Sequence, residues 1–162
     1  MQTRDVGYRC DEVTLRGHLV FDEAVTAKRP GVVVFHEGLG LGDFAIERAR
    51  MIAELGYVAL AADMFGERRQ ARNLQEVATL VGGLRAEPEK LRARGRAALS
   101  ALAALPLVDA GRLAAIGFCF GGSVVLELAR DGADLKAAVS FTALWVRKFP
   151  LVRTRSRPAY WS

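Results

Sequence analysis

Apolar positions along the 162 residues fall into short continuous runs separated by stretches of helical period. Gly31-Val32-Val33-Val34-Phe35 is an unbroken, β-branched run, the pattern of a strand covered on both faces. Tyr57 to Ala61 and Leu113 to Ile116 read as further buried strands, and Leu135 to Phe141 as a fourth strand. Thr14 to Phe21 reads as an earlier strand, paired with Val6 to Cys10 across a turn near Asp11. Between these runs, Asp43 stands where it can cap a helix reaching Leu55, with Ile46, Ala49 and Ala53 on one face and Gly56 ending it. Leu74, Val77, Ala78 and Val81 predict a short helix before Gly82-Gly83. Pro88 suits the first position of a longer helix, in which Leu91, Gly95, Ala98, Leu102 and Leu105 form one stripe and Pro106 marks the end. Gly121 to Arg130 predicts one more helix. Strands alternating with helices predict an α/β domain: a mostly parallel sheet with helices on both faces. No repeat, low-complexity segment or second domain is visible in the pattern.

Composition sharpens this picture. Half the residues are apolar (51%), enough for a core and incompatible with disorder over most of the chain. The formal charge of +5 resembles a nucleic-acid signal until it is located. Arg147, Lys148, Arg153, Arg155 and Arg157 stand after residue 141 with no acid among them, which leaves 18 basic residues to balance the 18 acidic ones in the first 141. Trp145, Trp161, Pro150 and Pro158 lie in the same stretch. The break divides the chain into a neutral body, 1–141, and a basic aromatic tail, 142–162, expected to be unrelated to the domain before it. No nucleic-acid partner is expected of the body. The N-terminus lacks the basic and apolar regions of a secretory signal, and no apolar run approaches a membrane span. Two cysteines do not make a disulfide framework, so a reducing, cytoplasmic setting is expected.

The chemistry-bearing segment is Ile116-Gly117-Phe118-Cys119-Phe120-Gly121-Gly122. A nucleophile elbow needs a buried strand, a sharp turn with the nucleophile at its apex, and a helix leaving at once. Bulky side chains two positions either side of the apex would collide, so G-x-nucleophile-x-G is its sequence form. Gly117 and Gly121 hold those places around Cys119, and the helix N-terminus beneath favours thiolate. The alternative is that Cys119 is a small buried apolar residue at a strand-helix junction; Cys10 has no such context and is taken as a core or strand residue. A second segment, His36-Glu37-Gly38-Leu39-Gly40-Leu41-Gly42-Asp43, follows the earlier buried strand, where such a sheet supplies its second oxyanion donor. Backbone N–H groups of Gly38 and Phe120 are then expected to converge on a substrate carbonyl oxygen, each worth roughly 3 kcal/mol in the transition state. Glu37 is expected near Cys119; the plain alternative is a solvated loop acid. A dinucleotide site is the competing reading, with Asp63 as the ribose-binding acid, but Asp43 stands where G-x-G-x-x-G needs its last glycine. No cofactor and no metal are expected.

From about Gly7 to Phe141 the chain resembles the dienelactone hydrolase family of α/β-hydrolases. The resemblance is carried in order by His36-Glu37-Gly38, Gly56-Tyr57-Val58-Ala59, Asp63-Met64-Phe65-Gly66 and Gly117-Phe118-Cys119-Phe120-Gly121-Gly122. It implies a carboxymethylenebutenolidase-like hydrolase that opens a small lactone or carboxylic ester through a cysteine acyl-enzyme. It further implies that Glu37 hydrogen-bonds the resting cysteine and helps activate it, that a histidine and an aspartate complete a triad, and that Asp63 is structural. The chain departs from that pattern after Ser140-Phe141. Its histidines are His18, in an early strand, and His36, before the oxyanion loop, and no Asp or Glu follows Asp134. The expectation is therefore a domain missing its last strands, with impaired activity and an open strand edge prone to self-association. An inactive fragment or interaction module is the alternative. Arg68, Arg69, Arg72 and Arg85 are possible carboxylate ligands, and none is assigned.

Overall fold

The computed structural model describes residues 1–141. Six strands and four helices alternate in the order β1 (Gln2–Cys10), β2 (Val13–Phe21), β3 (Arg29–Phe35), α1 (Asp43–Glu54), β4 (Val58–Ala62), α2 (Leu74–Ala86), α3 (Pro88–Ala103), β5 (Val108–Phe118), α4 (Phe120–Arg130) and β6 (Ala137–Phe141). They form one sheet in the order β1-β2-β4-β3-β5-β6. β4, β3, β5 and β6 run parallel, while β1 and β2 form an antiparallel hairpin added along β4. The continuous apolar runs occupy the centre, where β3 and β4 are buried almost throughout. One face packs α1 through Ala45, Ala49 and Ala53. The other packs α2, α3 and α4 through Val81, Leu91, Leu102, Val124 and Leu128.

Several boundaries differ from the sequence expectation. α2 runs through Gly82-Gly83, because Asn73 caps its start by accepting the Glu76 N–H and because Val81 and Leu84 are buried. Those anchors outweigh a cost of about 1 kcal/mol per glycine. α1 is capped by extended Gly42 with no side-chain bond, so Asp43 is the first helical residue and not the cap, although its charge still faces the helix dipole. β1 begins at Gln2, extended by its register with Phe21. β6 is shorter than expected and faces outward, with Val139 and Phe141 exposed. The expectation for 142–162 lies outside the described residues.

α4 is the element that carries the candidate nucleophile, and α3 holds it in place. A Cβ on Gly95 of α3 would sit 3.0 Å from Leu128, so the two helices approach closely. Arg92 reaches Glu127 at 2.8 Å, and Arg96 pairs with Asp131.

Candidate active site

Cys119 lies between the end of β5 and the start of α4 with φ 53° and ψ −108°, a conformation that side chains rarely adopt. The two glycines around it are sterically compelled. A Cβ on Gly117 would fall 2.0 Å from the Gly121 carbonyl oxygen, and one on Gly121 would fall 2.2 Å from the Phe35 carbonyl oxygen. The helix therefore begins against the backbone of the neighbouring strand. The Cys119 N–H donates to the Phe141 carbonyl at 2.8 Å, and the Cys119 carbonyl accepts from the Ser123 N–H, which fixes both sides of the turn. Phe120 opens α4, where backbone N–H groups lack helical partners.

Phe35 of β3 is paired in register with Gly117 of β5, so Glu37 and Cys119 each lie two residues past the same sheet position on adjacent strands. The close approach of Gly121 to Phe35 and His36 draws the two segments together. Glu37 is half-buried, one of its carboxyl oxygens is buried without a hydrogen-bond partner among the described residues, and burial raises its pKa above the ordinary carboxylate value. A carboxylate held this way takes up a proton more readily than a solvated one. Gly38 lies under α2, where a Cβ would meet Val77 at 2.9 Å.

His36 is fully buried. Its Nε2 accepts from the Met64 N–H at 3.3 Å, which leaves Nδ1 to donate to the Glu37 carbonyl at 2.6 Å. Burial lowers its pKa, so it is a neutral fixture of the loop with both nitrogens engaged. Asp63 is buried as well, and its carboxylate accepts from the N–H groups of Phe65, Gly66, Arg68 and Arg16 at 2.8–3.1 Å. So filled, Asp63 braces the segment after β4 and has no oxygen turned toward a ribose. The glycines of the loop, Gly40 and Gly42, pack on residues 69 and 70.

Residues that sequence reasoning passed over complete the support. The Tyr8 hydroxyl donates to the Asp63 carbonyl and accepts from the Asp63 N–H, both at 3.0 Å, and burial pushes its pKa up. Arg94 of α3 is buried and donates to the Met64 carbonyl at 2.6 Å. An arginine on the apolar face of a helix was the one readable signal of that bond. Cys10 is buried at the hairpin tip. His18 on β2 lies 3.1 Å from Asp5, away from the elbow. Of the four unassigned arginines, Arg68 pairs with Asp5, Arg72 with Glu76, Arg85 donates to the Ser123 hydroxyl at 3.2 Å, and Arg69 is exposed. No cluster of His, Cys, Asp or Glu suited to a metal occurs among the described residues. Among these residues no helix is long and apolar enough to cross a membrane.

The family model of the dienelactone hydrolase family matches residues 15–155. The chain belongs to the dienelactone hydrolase family. The match runs past Phe141 into the segment whose composition sets it apart. A solved structure named m3DLH superimposes with a TM-score of 0.89 at 48% identity, covering 92% of this chain and 62% of that one. A dienelactone hydrolase-like promiscuous phosphotriesterase from metagenomic libraries gives 0.85 at 46% identity, covering 88% of this chain and 59% of that one. A Yersinia pestis protein named as a candidate carboxymethylenebutenolidase is 26% identical over 95% of this chain and 59% of its own length. The chain thus spans about three-fifths of the length of each of these relatives. These family relatives and the elbow geometry agree on an α/β-hydrolase-like fold.

Proposed function

We propose that the chain acts on a small carboxylic ester or lactone through an acyl-enzyme on Cys119. The observation that carries this reading is the left-handed Cys119 at the head of α4, flanked by two glycines that admit no Cβ. The Cys119 sulfur attacks the carbonyl carbon and forms a thioester. Glu37 takes the thiol proton and returns it to the departing alkoxide as the C–O bond breaks. The N–H groups of Gly38 and Phe120 carry the charge on the carbonyl oxygen, and water then releases the acid and restores the thiol.

Turnover by these 162 residues is proposed to be slow. His36 is neutral with both nitrogens engaged, His18 of β2 is paired with Asp5 of β1, and the sequence holds no other histidine to drive deacylation. A non-catalytic interaction role is the alternative. Incubation with a p-nitrophenyl ester separates these readings. Slow p-nitrophenolate release, lost in Cys119→Ser, is expected. Sustained rapid turnover would overturn the proposed impairment. No release, together with a Cys119 inert to iodoacetamide, would favour the non-catalytic role.

The 46% identity to a protein named for phosphotriesterase activity favours a second substrate class. Cys119 attack at phosphorus would expel the same p-nitrophenolate while the Gly38 and Phe120 N–H groups held the phosphoryl oxygen. A p-nitrophenyl phosphotriester in a parallel assay tests it. We further propose self-association through β6, whose outward Val139 and Phe141 are 42% and 48% exposed. The basic segment 142–162 is proposed to have no part in the chemistry, and a cytoplasmic setting is proposed from cysteine usage.

A further inference from the structure

The loop that carries Gly38 is held from outside its own sequence. Three of its six residues, 37–42, are glycines, so few side chains anchor it. Its upstream end is fixed by His36, bonded to both the Glu37 carbonyl and the Met64 N–H. At its downstream end, Gln70 Nε2 donates to the Leu41 carbonyl at 2.7 Å and the Ala71 N–H donates to the Leu39 carbonyl at 2.9 Å. Between these bonds Gly40, at φ 104°, lies so near the Arg69 carbonyl that a Cβ would come within 2.5 Å.

The segment that supplies those contacts is itself under strain. Gly66, Glu67 and Arg68 all have positive φ, at 101°, 50° and 55°, and two of them carry side chains. Such a run persists only where its surroundings fix it. Here the Asp63 carboxylate holds the N–H groups of Gly66 and Arg68, the Glu67 N–H donates to the Thr14 carbonyl, and Arg16 pairs with Glu67 at 2.7 Å. The left-handed run turns the chain back so that residues 69–71 meet the glycine loop.

We infer that Gln70 is a positioning residue for acyl transfer at Cys119, acting through the Leu41 carbonyl to hold the loop that carries the Gly38 N–H. The inference rests on the hydrolase reading given above. Gln70 is exposed, and its side chain reaches the glycine loop at the Leu41 carbonyl and beside Gly42, so its replacement is expected to act on that loop. A displacement of about 1 Å in a positioned donor is enough to slow a reaction on the order of a hundredfold.

Gln70→Glu keeps the shape of the side chain and removes the donor. Gln70→Arg restores an N–H, because its Nε lies the same number of bonds from Cα. The readout is the first-order burst of p-nitrophenolate from p-nitrophenyl acetate, set beside the rate of Cys119 alkylation by iodoacetamide, which needs no oxyanion donor. Gln70→Glu is expected to slow acylation by about tenfold or more with alkylation unchanged, and Gln70→Arg to recover most of the loss. Unchanged acylation, or equal slowing of both reactions, would overturn the role. Absence of a burst from the unsubstituted chain would strike the hydrolase reading instead. Deuterium exchange then decides the brace: faster exchange over residues 38–42 in Gln70→Glu, with 117–123 unchanged, supports it, and identical exchange overturns it.

Discussion

Gly121 of α4 lies against Phe35 of β3 so closely that a Cβ would come within 2.2 Å of the Phe35 carbonyl oxygen. That contact joins the helix that follows Cys119, the proposed nucleophile, to the strand that leads into the loop proposed to supply an oxyanion donor. Gly121→Ala must move backbone on one side, since no flexible side chain is there to yield. It is expected to cost about 3 kcal/mol or more, read by urea denaturation, and to abolish acylation of Cys119 even in the fraction that remains folded.

Cys119 carries strain that its proposed role as nucleophile requires. At φ 53° and ψ −108° a residue with a side chain is held at a cost on the order of 1–3 kcal/mol, and glycine is not. Cys119→Gly is therefore expected to raise the urea midpoint while removing all ester cleavage. A lower midpoint would show that the thiol contributes more by packing than the turn costs.

Glu37 links stability to pH. Burial raises its folded pKa above the ordinary 4.5, so the folded state favours the protonated form. Relative stability from this group is fully present below pH 4.5 and is lost as pH rises through the folded pKa. Glu37→Gln is expected to melt higher than the unsubstituted chain at neutral pH, the two melting temperatures converging as pH falls toward 4.5. Acylation is expected to fall in the same variant at neutral pH. A thermal advantage independent of pH would show that the carboxylate is not the titrating group.

Arg29, at the start of β3, is buried, and among the described residues none of its three guanidinium nitrogens has a hydrogen-bond partner. An uncompensated buried polar group opposes folding. Arg29→Met, similar in length and apolar, is expected to stabilise the fold by about 1–3 kcal/mol in urea denaturation, with acylation unaffected. Destabilisation would mean that the guanidinium is satisfied in solution.

The central architecture was legible because β3 and β4 are covered on both faces and so read as unbroken apolar runs. The elbow was legible because its close approaches admit only glycine at Gly117 and Gly121, which leaves a mark in the sequence. Polar elements left weaker marks. The first residues of β1 are exposed and gain strand structure from pairing with β2, which no local pattern records. Gly82-Gly83 resembled a helix end, yet burial of Val81 and Leu84 carries α2 past it. The support of the site was least visible, since the Tyr8 and Arg16 bonds to Asp63 span 55 and 47 residues and depend on the assembled sheet. Only the resemblance to a family indicated that Asp63 is structural, and its four backbone partners give the physical reason.

Intact-protein mass spectrometry after incubation with p-nitrophenyl acetate tests the central claim most directly. One added acetyl group per chain is expected, labile to hydroxylamine, mapped to Cys119, and absent from Cys119→Ala while present in Cys10→Ser. An unmodified chain, or an acetyl group on Cys10 with Cys119 unmodified, would contradict it.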